Sequence, residues 1–283
     1  MDTIATRLTE TIQRLETAGI DNARFEARLL LCHVLDVELQ VLIGYPEREI
    51  STDQVSSLED LLIRRENREP MSHILGEREF WSLPFKVTKD TLTPRPDSET
   101  LVEAVLKYLP DPTQELRVLD LGVGTGCLLL SILSEYEQAT GLGIDISPKA
   151  LDVAIENAKR LGFEDRSRFQ IGNWAEGIDE TFDLVLSNPP YIPLSDEKDL
   201  EPEVKEYEPA GALFAGVDGL DDYRKLAECL PYLLKNQGFA VIELGIGQAE
   251  AVTKLMTETG LEVIEAPRDL SEIERCLVIR KKL

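Results

Sequence analysis

The chain has 283 residues, of which 53 are acidic and 30 basic, giving a net charge of −23. Duplex binding relies on Lys and Arg neutralising phosphates, so this balance argues against stable nucleic-acid binding and leaves either plain solubility or a partner with a basic patch. With 43% hydrophobic residues a sizeable core is available; no apolar run approaches bilayer length, and Met1-Asp2-Thr3 leads into charged amphipathic sequence, so no membrane association and a cytosolic location are expected.

Residues 1–72 read as a small helical domain. Ile4, Leu8, Ile12 and Leu15 form one apolar stripe. Asp21 is a candidate N-cap for a helix carrying Phe25, Leu29 and Cys32, and Ser51 or Thr52 for one carrying Val55, Leu58, Leu61 and Leu62. The run Arg64-Arg65-Glu66-Asn67-Arg68-Glu69 before Pro70 reads as a solvated helix end. Residues 73–96 are short β-like pieces, Glu79-Phe80-Trp81, Phe85 to Thr88 and Thr91-Leu92-Thr93, which read as a hairpin linker.

From residue 97 to 283 strands and helices alternate. A helix from about Asp97 to Leu109 precedes strands over Arg117–Leu121, Gly141–Asp145, Arg168–Ile171, Phe182–Ser187, Gly238–Leu244, Glu262–Ala266 and Cys276–Arg280. Helices lie near Cys127–Tyr136, Pro148–Leu161, Leu220–Leu234 and Gln248–Gly260. Such alternation predicts an α/β fold with a mostly parallel sheet covered on both faces. Cys32, Cys127, Cys229 and Cys276 are far apart in apolar segments, as reduced core thiols are. His33 and His73 are the only histidines; His33 reads as a packing residue, and neither a metal centre nor a Ser-His-Asp site is supported.

Two segments carry the chemistry. In the first, an apolar strand runs through Asp120 into Gly122-Val123-Gly124-Thr125-Gly126 and a helix, a turn whose glycines and free N–H groups let a ligand approach the backbone. Asp145, nineteen residues after Gly126 at the end of the next strand, is placed to accept two ribose hydroxyls. The third glycine comes one residue earlier than in a pyrophosphate-binding loop, and the preceding Asp120 suits a positively charged donor. S-adenosylmethionine is therefore preferred to NAD. Trp174, after the third strand, supplies a ring where an adenine would lie. The second segment, Asn188-Pro189-Pro190-Tyr191, follows the strand Phe182–Ser187. Its Asn188 side-chain oxygen and Pro189 carbonyl can each accept one N–H of a planar amide while the Tyr191 ring packs on its plane, and the prolines stiffen the turn without adding donors.

Taken with His73-Ile74-Leu75-Gly76-Glu77-Arg78-Glu79-Phe80-Trp81 and Thr93-Pro94-Arg95-Pro96-Asp97-Ser98-Glu99, these motifs resemble the HemK/PrmC family along the whole chain. That resemblance implies a class I S-adenosylmethionine-dependent methyltransferase, with a seven-stranded Rossmann-like sheet, that methylates the glutamine amide of the Gly-Gly-Gln motif in peptide chain release factors. It implies Gly122 to Gly126, Asp145, Trp174 and Asn188 as donor ligands and Asn188, Pro189, Pro190 and Tyr191 as glutamine ligands, with Asn188, Pro189 and Tyr191 serving catalysis and no metal. Residues 1–72, a separate helical pattern without recognisable chemistry, are expected to dock the protein substrate. Asn173 departs from the acidic residue of many relatives, and Arg95 and Glu99 match the linker motif without an evident role. Two rivals remain: a nucleic-acid adenine N6 methyltransferase using the same turn on a flipped base, which should carry a basic recognition segment, and a non-catalytic scaffold, which should show degenerate motifs. Neither signature is visible.

Overall fold

Thr3 opens the first helix, α1 (Ile4–Thr17), by accepting the backbone N–H of Thr6 at 3.3 Å. The computed structural model describes residues 2–282. These form two compact units, one running to Gly76 and including Glu201–Tyr207, the other comprising Glu77–Leu200 and Glu208 onward.

In the helical unit, α2 (Ala23–Leu35), α3 (Leu39–Gly44), α4 (Thr52–Glu66) and α5 (Met71–Leu75) follow α1. Ser51 caps α4 through a reciprocal capping box with Gln54, as its sequence predicts. Helix α2 departs from expectation. It begins after Asn22 without a side-chain cap, so Asp21 is not its cap. Its buried stripe is Ala23, Ala27, Leu30, Leu31 and Leu35, while Phe25 is 61% exposed and His33 is exposed. Two alanines and three leucines set the inward face, the alanines letting helices approach closely; Phe25 is rotated away from it, while Cys32 packs at its margin. The cysteines also differ from expectation: all four are free thiols, but Cys276 alone is fully buried.

The charged run after Ile63 is an ion-pair network, not a solvated end. Arg65, with a side chain only 7% exposed, binds Glu26 at 2.6 Å and Glu203 at 2.9 Å. Arg14 grips Glu59 at 2.6 Å and Glu66 at 2.7 Å. A guanidinium tolerates such burial because its forked donors are matched by carboxylates. Glu203 belongs to α9 (Pro202–Tyr207), a short helix that is not among the elements predicted from the sequence.

The second unit starts with the hairpin β1 (Glu77–Phe80) and β2 (Leu83–Lys86). Trp81 and Ser82 both have positive φ, as a tight two-residue hairpin turn requires. Thr91–Thr93 forms no strand. Buried Asn157 ties this hairpin to the glycine turn: its Oδ1 accepts the Lys86 N–H at 2.7 Å and its Nδ2 donates to the Lys86 and Thr125 carbonyls at 3.1 and 2.9 Å.

Next come α6 (Glu99–Tyr108), β3 (Arg117–Leu121), α7 (Cys127–Glu135), β4 (Thr140–Asp145), α8 (Pro148–Leu161), β5 (Ser167–Ile171) and β6 (Phe182–Ser187). After α9 come α10 (Asp221–Leu233), β7 (Leu234–Glu243), α11 (Ala249–Glu258), β8 (Leu261–Glu265) and β9 (Cys276–Lys281). Among the described residues they build a seven-stranded sheet in the order β5-β4-β3-β6-β7-β9-β8, parallel except for β9, which is antiparallel to both neighbours. Two apolar clusters cover its faces. Val118, Leu184, Leu186 and Val241 pack with α6 and α7, whereas the alternate residues Leu119, Leu121, Val185 and Ile242 pack with α10 and α11. Order reverses beside β3, so the carboxyl ends of β3, β4 and β6 border a crevice suited to a ligand.

Candidate active site

Pairing of β3 with β6 sets Leu121 opposite Ser187, and the Ser187 hydroxyl donates to the Leu121 carbonyl at 2.8 Å. The glycine turn and the Asn188 turn, remote in sequence, therefore leave the sheet side by side. Gly122 and Val123 both donate backbone N–H groups to the Ile144 carbonyl at 2.9 Å, which seats the turn on the end of β4. Gly122 and Gly124 have φ of +76° and +54°, and beyond their immediate chain neighbours no atom lies closer than 4.0 Å to where a Cβ would stand on either. The left-handed backbone, not crowding, demands glycine there, and the space above stays open. Gly126 differs: a Cβ on it would stand 3.2 Å from Leu130 and 3.5 Å from Ala154, so it serves the packing of α7 and α8.

Above these strand ends lies a cavity of about 430 Å³, within the range of small-molecule sites. Of the residues singled out from sequence, Gly122, Val123, Gly124, Thr125, Asp145, Trp174, Asn188 and Pro190 line it. Gly126, Pro189 and Tyr191 adjoin these lining residues in sequence without lining the cavity themselves. Trp174 adopts a positive φ of 54° and packs partly against the second apolar cluster. Asn173 lines the cavity too, although its Nδ2 donates to Glu176 at 3.0 Å.

Asp145 is held in place by the Gly124 and Ser147 N–H groups, at 2.9 and 2.8 Å on its two oxygens. Each oxygen keeps a free lone pair for a hydroxyl. Asp120 is the opposite case. It is 1% exposed, neither carboxylate oxygen has a hydrogen-bond partner, and burial pushes its pKa up to about 7. A buried carboxylate with no partner, bordering a cavity, is suited to a cationic amino group. The glycine backbone, Asp145 and Asp120 thus fit S-adenosylmethionine, which carries a ribose and an ammonium group.

The other wall holds residues that sequence reasoning left without a role or missed. Arg95 pairs with Glu208 at 2.6 Å, and the buried Glu208 also accepts the Thr93 N–H at 3.3 Å. Glu99 accepts the Trp81 N–H at 2.8 Å and fastens the hairpin to α6, a structural task. Register pairs Ser187 with Ile242, so Asn188 stands level with Glu243 at the end of β7. Glu243 is 1% exposed, accepts a short hydrogen bond from the Ser98 hydroxyl and has its pKa raised by burial to about 7. The Tyr191 hydroxyl faces this carboxylate; burial first and Glu243 second push its pKa upward. Only a charged residue closing the apolar run Ala240-Val241-Ile242 marked Glu243 in the sequence.

The mostly parallel sheet, with its antiparallel β9 and a crevice lined by the glycine turn, Asp145 and Asp120, is that of a class I S-adenosylmethionine-dependent methyltransferase. A family described as the PrmC N-terminal domain matches residues 7–76, and one described as a methyltransferase domain matches residues 112–230. The chain is 46% identical to the release factor glutamine methyltransferase of Rhodospirillum rubrum, over 95% of this chain and 82% of that one. It is 42% identical to the enzyme of the same name from Caulobacter vibrioides, over 98% and 96% of the two chains. A solved methyltransferase from Pyrococcus furiosus shares the fold, with a TM-score of 0.51 at 15% identity over 83% of this chain and 100% of that one. The chain belongs to the release factor glutamine methyltransferase family. Among the described residues, no helix is long and apolar enough to cross a membrane.

Proposed function

We infer that this enzyme methylates the side-chain amide nitrogen of the glutamine in the Gly-Gly-Gln motif of peptide chain release factors, acting in the cytosol without stable nucleic-acid or membrane binding. The observation that carries this reading is the Asn188 turn, rich in acceptors, opening into the same cavity as the glycine loop and Asp145.

Gly122 to Gly126, Asp145, Trp174 and Asn188 hold the donor in this proposal, with Asp145 on the ribose, Trp174 by the adenine and Asp120 on the ammonium group. When bound, S-adenosylmethionine supplies an electrophilic methyl group. The chain's task is to make a poor nucleophile competent, because the amide lone pair is delocalised into its carbonyl. The Asn188 Oδ1 and the Pro189 carbonyl each accept one amide N–H and stabilise positive charge developing on nitrogen, while Pro190 and the Tyr191 ring confine the amide plane. The N-methylated, protonated amide is very acidic and loses its proton readily, so no strong base is needed. Residues 1–72 form the docking domain, 73–96 the hairpin linker and 97–283 the methyltransferase domain.

The test is transfer of labelled methyl from S-adenosylmethionine to a purified release factor carrying Gly-Gly-Gln and to a variant with that glutamine replaced by Ala. Label should enter the first alone. Equal labelling of both, or labelling of DNA in preference to either, overturns the assignment.

A further inference from the structure

Two buried polar side chains beside the substrate turn have no part in the donor and substrate contacts proposed above. Ser98, 2% exposed, ends the one-turn helix Pro96–Ser98 before α6, and Glu243 ends β7. The Ser98 Oγ donates to Glu243 Oε2 and lies 3.5 Å from Asn188 Nδ2, the outer limit of a hydrogen bond. We propose that Ser98 and Glu243 are positioning residues that determine which end of the Asn188 amide faces the substrate. This inference rests on the proposed function.

The reasoning is one of hydrogen-bond polarity. An Asn side chain is nearly symmetric in shape, and its carbonyl and amino ends exchange places by a half turn. Only one orientation can accept from a glutamine amide, since the other would set N–H against N–H. An ionised carboxylate is an acceptor only, so Glu243 takes the single proton of the Ser98 hydroxyl. Oγ is left with lone pairs alone, and these can engage Asn188 solely through Nδ2. Oδ1 is thereby turned away from Ser98 and remains free to accept. Glu243 therefore acts on the amide without touching it, through a hydroxyl that passes the polarity on.

The surroundings of Glu243 favour the state this requires. Burial raises its carboxyl to about 7, Asp97 raises it further, and the Ser98 hydrogen bond with the Arg275 and Arg95 cations acts in the opposite direction. From the neighbouring elements, Tyr191 and Tyr223 face it as neutral phenols, and Cys127 and Cys276 as thiols whose pKa values are raised by burial. At pH 8, above this value, the ionised form predominates.

The experiment compares wild type, Ser98→Ala, Glu243→Gln and the double variant in single-turnover methyl transfer at pH 8, with saturating S-adenosylmethionine and release factor. Donor affinity is measured by calorimetry on the same samples. Ser98→Ala and the isosteric Glu243→Gln should each slow transfer about tenfold, the scale of one misplaced hydrogen bond, with donor affinity within about threefold of wild type. Because both act through one amide, the double variant should be no slower than the slower single variant. Unchanged rates in either single variant, multiplied losses in the double, or a fall in donor affinity that matches the fall in rate would each overturn the relay. Wild type that leaves the glutamine unmethylated overturns the proposed function itself, whereas active wild type with unaffected variants removes the relay alone.

Discussion

Replacing Asp120 by Asn should abolish a pH dependence of donor binding that the buried carboxylate creates. In the free enzyme this carboxyl has no partner, and burial lifts its pKa from 3.8 to about 7. A carboxyl raised in the folded state leaves the protein most stable below its unfolded value, and that stability is lost as pH rises through about 7. An ammonium group bound against Asp120 reverses the preference, because the pair needs the ionised form. One unit below its pKa the group is about nine-tenths protonated, so donor affinity at pH 6 should be roughly tenfold weaker than at pH 8, with uptake of the donor releasing close to 0.9 proton. Asp120→Asn keeps the shape but removes the charge, and at pH 8 it should weaken binding about 10- to 100-fold, as loss of a charge-assisted hydrogen bond does. Calorimetry of S-adenosylmethionine binding at both pH values, in two buffers of different ionisation enthalpy, reads affinity and proton count together. Equal wild-type affinities at pH 6 and 8 would refute the reasoning. So would an Asn variant that keeps the dependence, since the titrating group would then lie elsewhere, Glu243 being the other buried carboxyl near 7.

Asn188→Ala should lower single-turnover methyl transfer by about 10²–10³-fold with a much smaller loss of donor affinity, and near-normal turnover would remove its catalytic role. Asp145→Ala should cost about 1–3 kcal/mol of donor binding, because it unpairs the ribose and frees the Gly124 and Ser147 N–H groups; unchanged calorimetric affinity refutes it. Arg65→Ala strands Glu26, largely buried, leaves Glu203 with Arg68 alone, and should destabilise the helical unit by about 3–5 kcal/mol in urea unfolding of the full chain. A loss below about 1 kcal/mol would mark this network as no more than a surface ion pair.

The strands and helices of the α/β region were legible because their signals are local: apolar runs of strand length, Pro148 and Ser147 opening α8, Gly162 closing it, and Ser51 with Gln54 boxing α4. The glycine turn, Asp145 and the Asn188 turn were legible for the same reason, each following a strand end within a few residues. What the sequence by itself determined was therefore the class of fold, its donor and the turn that presents acceptors. It misjudged the inward face of α2, which is Ala23, Ala27, Leu30, Leu31 and Leu35 with Phe25 outside it, and it read Arg65 as solvated, because the carboxylates that bury it come from α2 and α9, far along the chain. Ser98 and Glu243 are separated by 145 residues and meet where the start of α6 packs on β7, and Glu243 stands level with Asn188 because β7 lies beside β6 with Ile242 opposite Ser187. Sheet register, a non-local property, decided which side chains surround Asn188; a single strand's pattern shows that a residue is buried but not against what.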